Sequence, residues 1–302
     1  MIAAVVLAAG LGTRLRPLTD GTPKALCPVG NVPLLDLALA RLARCGLAGP
    51  DSVAVNASYL GAQVAAHVAG RATVSWETAG PLGTAGALGA LRDWLDGRDV
   101  LVGNADAYLV AAGPPVDADG GPREDADGPP EGTDGGGADI APLLADWSGA
   151  TVRLLARPAA PGEPGEFGAW RFAGFSLVPW RLVRDLAAEP AELWREVWRP
   201  AEAGGTLECV PYSGTYLDCG TPAAYLAANL HAARQAGGRI VSPDALVTGA
   251  VCDSVVGAGA AVHGRATRCV VWPGATVPAG ESLSDAVRLP HTTVQEAPPR
   301  SG

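Results

Sequence analysis

Leu7-Ala8-Ala9-Gly10-Leu11-Gly12-Thr13-Arg14, followed ten residues later by Lys24, is the first group in the chain able to do chemistry. Gly10 and Gly12 let the backbone bend and approach a ligand closely, so that successive N–H groups face an anion. Arg14 adds a forked donor and Lys24 a point donor, both suited to phosphate. The spacing is neither a dinucleotide fingerprint nor a Walker A loop: Leu15 stands where a third glycine is needed, and Gly-Lys-Ser/Thr is absent. Asp106 ends the run Val102-Gly103-Asn104-Ala105-Asp106, where a carboxylate would project into a ligand crevice. It suits Mg²⁺, a hard cation that takes oxygen ligands and brings substrate phosphates with it. Asp218, in Tyr216-Leu217-Asp218-Cys219-Gly220-Thr221, is a second carboxylate at a strand end, where it could equally cap a helix. Leu82-Gly83-Thr84-Ala85-Gly86-Ala87-Leu88, with Glu77 upstream, is small enough for backbone to approach a flat base, and it equally suits a glycine-rich helix start.

These groups need elements to hold them. Apolar runs of strand length at Ile2–Leu7, Ser52–Asn56, Thr73–Trp76 and Val100–Gly103 alternate with helical patterns at Pro33–Cys45, Leu60–Ala69 and Ala85–Trp94. Such alternation predicts parallel strands with crossover helices, whose ligands lie at the strand ends. Farther on, Ile140–Trp147 reads as a helix, then Thr151–Ala156 and Phe172–Val178 as strands. Trp180–Ala188 and Glu192–Glu202 read as helices, Leu207–Pro211 and Thr215–Leu217 as short strands. Pro222–Gln235 reads as a helix with Thr221 as its cap. The Trp residues, including Trp180, Trp194 and Trp198, read as core and packing residues, and His67 as a surface residue.

From Ile240 the texture changes. Aliphatic residues recur at every sixth position, at Val241 and Val247, at Val256 and Val262, and at Val271, Val277, Leu283 and Leu289. This is the period of a left-handed parallel β-helix, with the register slipping after Val247 and after Val262. The expected organisation is a catalytic domain over residues 1–236 and the β-helix with its tail over residues 237–302.

Composition bounds the function. The 302 residues carry a net charge of −9, and 48% are hydrophobic, enough for a large core. Most of that charge lies in residues 111–139, where Asp117, Asp119, Glu124, Asp125, Asp127, Glu131, Asp134 and Asp139 face only Arg123. This Gly/Pro/Asp-rich tract reads as a mobile surface loop. The acidic balance argues against nucleic acid as a partner. Cys27, Cys45, Cys209, Cys219, Cys252 and Cys269 lack CxxC spacing, which fits reduced thiols in the cytoplasm. His67, His231, His263 and His291 lack ligand spacing. No membrane span or targeting segment is visible.

The string LAAGLGTRLRPLTDGTPKAL closely resembles the signature of the sugar-phosphate nucleotidylyltransferases. The resemblance implies a Rossmann-like α/β domain with a mixed, mainly parallel sheet, and transfer of a nucleotidyl group from a nucleoside triphosphate to a sugar 1-phosphate. It implies Asp106 and Asp218 as Mg²⁺ ligands and Arg14, Lys24 and Asp106 as catalytic residues. It also implies nucleotide contacts at Leu7, Ala8, Ala9, Gly10, Gly12, Thr13, Glu77, Gly83 and Thr84. LGTAGAL resembles the base loop of mannose-1-phosphate guanylyltransferases, which favours GTP and mannose 1-phosphate over UTP or dTTP enzymes. Hexapeptide tails in the family imply self-association through the β-helix.

One piece of the pattern is missing. Relatives carry Glu-Lys-Pro late in the domain, whose Lys grips the sugar phosphate. Here Leu155-Ala156-Arg157-Pro158 is nearest, and no Lys follows Lys24. Arg157 or Arg171 is the candidate replacement, with a planar fork in place of a point donor. That departure leaves room for a non-catalytic nucleotide-sugar-binding regulator. An acyltransferase built on the hexads would need more regular coils and a well-placed base, for which His263 and His291 are a poor start.

Overall fold

A computed structural model describes residues 1–111 and 140–295. Strand β1 (Ile2–Leu7) leads into the glycine turn. A hairpin of β2 (Pro28–Val29) and β3 (Val32–Pro33) precedes helix α1 (Leu34–Arg44). Then come β4 (Val53–Ala57), α2 (Gly61–Val68), β5 (Thr73–Trp76), α3 (Gly83–Ala90), α4 (Arg92–Leu95) and β6 (Asp99–Asn104). Next are β7 (Ala107–Val110), α5 (Ala141–Leu144), β8 (Val152–Pro158), β9 (Trp170–Val178) and α6 (Trp180–Val183). A π-helical turn at Trp194–Trp198 runs into α7 (Arg199–Ala203), followed by β10 (Leu207–Pro211), β11 (Thr215–Asp218) and α8 (Pro222–Gln235).

Seven strands form one sheet in the order β10-β8-β9-β6-β1-β4-β5. It is mixed and mainly parallel. The pairs β1·β4, β1·β6, β4·β5 and β8·β10 are parallel, and β9 runs antiparallel to both β6 and β8. Strand β1 is central and buried on both sides, which explains its unbroken apolar run. One face packs Leu35, Leu42, Val64 and Val68 of α1 and α2, and the other packs Leu88, Val183 and Val197. The helix expected over Ala85–Trp94 breaks at Leu91 into α3 and α4. Helices α5 and α6 are single turns, shorter than their apolar patterns suggest. Thr221 caps α8 as expected, its Oγ1 accepting from Ala224 N at 3.3 Å.

After α8 the chain coils into stacked parallel strands. These are β12 (Arg239–Val241), β13 (Leu246–Val247), β14 (Ala250–Cys252), β15 (Ser254–Val256), β16 (Ala261–Val262), β17 (Arg265–Val271), β18 (Thr276–Val277) and β19 (Ser282–Arg288). An antiparallel strand, β20 (Thr293–Gln295), closes the stack on β19. Val241 pairs with Val256 and Val256 with Val271, while Val247 pairs with Val262 and Val262 with Val277. Val241, Val256 and Val271 therefore stack in one column, and Val247, Val262 and Val277 in another. The register slips after Val247 and Val262 are the shortened return to the next coil, so each turn is shorter than three full hexads.

Helix α8 joins the two parts. Tyr225, Leu226 and Leu230 share one apolar cluster with Val29 of the hairpin and with Val256, Val271 and Val287 of the coils. Gly30 N donates to Asn229 Oδ1 at 3.0 Å, and Asn31 Nδ2 donates to Val256 O at 2.9 Å. Helix α8 therefore packs on the hairpin and on the coils within one apolar cluster. The acidic tract lies outside the described residues apart from Ala111. Among the described residues no helix is long and apolar enough to cross a membrane.

Candidate active site

The glycine turn leaves the end of β1 where its neighbour β6 also ends, Leu7 pairing with Asn104. Gly12 sits at φ 63°, and a Cβ there would meet Thr19 Cγ2 at 2.9 Å, so the turn requires glycine. Thr19 Oγ1 locks it by donating to Gly12 O at 2.8 Å. The amides of Gly10, Leu11, Gly12, Thr13 and Arg14 have no hydrogen-bond partner among the described residues.

Asp106 lies between β6 and β7, and Asp218 ends β11, which pairs antiparallel with β7. Asp218 is opposite Ala107, and Cys219 N donates to Asp106 O at 3.1 Å. Two carboxylates separated by more than a hundred residues of sequence are thereby neighbours. Lys24 Nζ bonds Asp106 Oδ2 and lies 3.6 Å from Asp218 Oδ1. The Lys24 side chain is 12% exposed, against 49% for Asp218. Arg14 comes to the same place, because a Cβ on Gly220 would fall 3.0 Å from both Arg14 Nη2 and Asp218 Oδ1.

Gly10, Gly12, Arg14, Lys24, Asp106 and Gly220 line one cleft of about 380 Å³, together with Leu11, Thr13 and Pro81. Arg14 has no ion-pair partner among the described residues. An anion with several oxygens fits this lining. Two convergent carboxylates also fit a hard divalent cation whose remaining ligands come from phosphate and water. Among the described residues no group of three or more His, Cys, Asp or Glu could hold a metal unaided. Tyr216 lies beside this pair; burial, reinforced by the Asp106 and Asp218 charges, pushes its phenol well above its ordinary range. Burial likewise raises the Cys27 thiol to about 12, so Cys27 is no nucleophile.

Other expected residues are placed differently. Glu77 is 4% exposed. Its Oε1 accepts from Asn56 Nδ2 and its Oε2 from Leu82 N, both at 2.8 Å. The Glu77 carboxylate is therefore occupied by protein. Asn56 Oδ1 accepts from Ala8 N at 2.6 Å and from Ala9 N at 3.2 Å. Those two amides are occupied too, which moves the open donors to Gly10 and beyond. Asn56 escaped the sequence reading; its signal was a lone amide side chain inside the buried apolar run of β4.

Gly83 and Thr84 begin α3 and dock on the 191–193 backbone. A Cβ on Gly83 would meet Ala191 O at 2.4 Å. Thr84 Oγ1 donates to Glu192 Oε2 at 2.8 Å and accepts from Leu193 N at 2.7 Å. The helix-start reading of this loop describes what it forms.

Arg157 and Arg171 face each other across β8 and β9. Arg157 grips Glu163 with two bonds of 2.8 Å. Arg171 reaches Glu163 at 3.0 Å and Glu166 at 2.8 Å. The Arg157 hydrogen bonds hold the Glu163 carboxyl down at about 2. Neither arginine offers an unpaired charge to a sugar phosphate.

Residues 3–113 match the nucleotidyl transferase family. N-acetylmuramate alpha-1-phosphate uridylyltransferase of Neisseria meningitidis is 38% identical over 109 residues, which are 34% of this chain and 46% of that protein. Mannose-1-phosphate guanylyltransferase of Mycobacterium tuberculosis is 33% identical over 108 residues, 34% of this chain and 29% of that protein. This chain spans about half the length of the first of these relatives. A putative glucose-1-phosphate thymidylyltransferase from Bacillus anthracis has the same fold, with a TM-score of 0.58, 18% identity, and 77% of this chain and 95% of that one covered. The glycine turn, Lys24, Asp106 and Glu77 all fall within the matched segment. Over residues 3–113 the chain is thus similar to nucleotidyl transferases, and the relatives it matches there include sugar-phosphate nucleotidyltransferases.

Proposed function

We propose that the chain transfers a nucleotidyl group from a nucleoside triphosphate to a sugar 1-phosphate, with GTP and mannose 1-phosphate as the favoured pair. The observation that carries this reading is one cleft lined by the glycine turn, Arg14, Lys24 and Asp106, with Asp218 Oδ1 3.6 Å from Lys24 Nζ. An oxygen of the sugar phosphate attacks the α-phosphorus. The new P–O bond forms as the α–β bridging bond breaks, and pyrophosphate leaves with the electron pair. No proton transfer is required, so no side-chain nucleophile or base is required.

The protein must bring two anions together and offset the charge that builds as they react. The Gly10–Arg14 amides hold the triphosphate, Arg14 steadies the departing pyrophosphate, and Lys24 contacts the phosphates from the opposite wall. Asp106 and Asp218 would hold Mg²⁺, which supplies neutralisation of phosphate charge. The C-terminal coils form a left-handed β-helix suited to self-association, and the catalytic domain ends near residue 236.

A second reading, a protein that binds nucleotide sugars without turnover, is favoured by the pairing of Arg157 and Arg171. Pyrophosphate release across a panel of triphosphates and sugar 1-phosphates separates the two. Release with one pair supports the enzyme. Binding without release from any pair supports the regulator.

A further inference from the structure

A second, smaller cleft of about 180 Å³ lies beside the first, and its chemistry is of another kind. Leu7, Asn104, Phe172, Ser176, Glu192 and Trp198 line it. Asn104 stands two residues before Asp106, so this cleft opens next to the reacting phosphates of the proposed reaction. Lys and Arg are absent from its lining, and Glu192 is its one charged residue. Arg157 and Arg171, on the neighbouring part of β8 and β9, are tied to Glu163 and Glu166.

Two polar atoms here are anomalous. Ser176 Oγ and Trp198 Nε1 are buried without a hydrogen-bond partner among the described residues. Ser176 is fully buried, between Phe175 and Leu177 in the buried half of β9. A buried donor without a partner is destabilising, and such atoms persist where a ligand satisfies them. Beside them the Phe172 and Trp198 rings sit 4.6 Å apart at 49°, giving an apolar wall with donors at its edge. That combination suits a ring with C–H faces and neutral hydroxyl oxygens. It is hostile to an added carboxylate, which would be desolvated beside Glu192 with no cation to pair with.

We infer that this cleft makes the protein selective for acceptors with an uncharged polyhydroxylated ring, against carboxylate-bearing ones, and that Trp198 and Ser176 are its specificity residues. The inference rests on the proposed transferase reaction for its position in catalysis. Its charge selectivity is a separate claim about this cleft.

The test compares kcat/KM for mannose 1-phosphate and glucose 1-phosphate with that for N-acetylmuramate 1-phosphate, whose lactyl group carries a carboxylate. The uncharged acceptors should lead by ~10²-fold or more, the scale for burying an unpaired charge. Trp198→Phe keeps the ring and removes the donor. It should raise KM for the preferred sugar phosphate up to ~10-fold, the scale of one lost hydrogen bond, and leave KM for the triphosphate unchanged. A merely structural role for Trp198 would move both constants together. Ser176→Ala should act in the same direction, more weakly. Equal or better use of the carboxylated acceptor overturns the inference.

If pyrophosphate is released from no pair, the transferase reading fails and the inference is read by binding instead. Saturation-transfer NMR should then show mannose 1-phosphate ring protons contacting the protein, weakened in Trp198→Phe, and glucuronate 1-phosphate not binding. Equal signals from both probes, or none from mannose 1-phosphate, overturn it.

Discussion

Two clusters in this molecule draw on the same materials and arrive at opposite states. In one, Arg14 and Lys24 meet Asp106 and Asp218. In the other, Arg157 and Arg171 meet Glu163 and Glu166. Each has two cations and two carboxylates. Around Glu163 every cation is spent, with two bonds from Arg157 and ion pairs from Arg171. Around Asp106, Lys24 alone bridges the carboxylates, Arg14 has no ion pair among the described residues, and the group opens on a cleft. Residue types do not separate the two clusters. What separates them is how far each charge is already satisfied and whether space adjoins it.

The contrast can be broken or sharpened in order of expected effect. Asp106→Asn removes one of two convergent carboxylates and should lower kcat for pyrophosphate release by ~10²-fold or more, the cost of losing a preorganised charge contact. Arg14→Ala should lower kcat/KM by about 10²-fold on the same scale, measured by the same assay, without shifting the thermal midpoint, since Arg14 is exposed. Asn56→Leu should cost about 1–3 kcal/mol in urea unfolding, because it orphans the buried Glu77 carboxylate and the Ala8 and Ala9 amides. It should also raise KM for the triphosphate, since the turn loses its anchor.

Arg171→Ala belongs at the other end: its charge is already paired, so turnover should change by less than about 3-fold, surface ion pairs being weak contributors. A large loss there would make the second cluster part of the site. That cluster instead shows itself with pH. The Glu163 carboxyl is held at about 2 against an ordinary 4.5, so its stabilising contribution is complete above 4.5 and is lost as pH falls towards 2. Thermal midpoints of the wild type and Glu163→Gln should converge over that window and differ above it.

Much of the fold was legible because period and burial coincide. The apolar run of β1 and the Thr221 cap of α8 each report a local constraint directly. The glycine turn was legible for the same reason, since Gly12 is required by its own backbone angle. Partnership across the chain was not legible. Nothing in Ala156-Arg157-Pro158 says that Glu163 lies within reach, and nothing near Glu77 says that its carboxylate is taken by Asn56 and Leu82. The glycines of Gly83–Ala90 permitted both a ligand loop and a close-packed helix, and the 187–191 backbone decided between them. The short return of each coil looked like a slipped register until the strand pairs placed Val256 over Val241.

The central claim is that Asp106 and Asp218 act as one charged unit on the phosphates. Its most direct test is the rate of pyrophosphate release at saturating triphosphate and sugar 1-phosphate for Asp106→Asn, Asp218→Asn and the double variant. The account predicts that each single variant loses most of the activity and that the double variant loses little more. Independent losses that multiply, or a single variant with wild-type turnover, would contradict it.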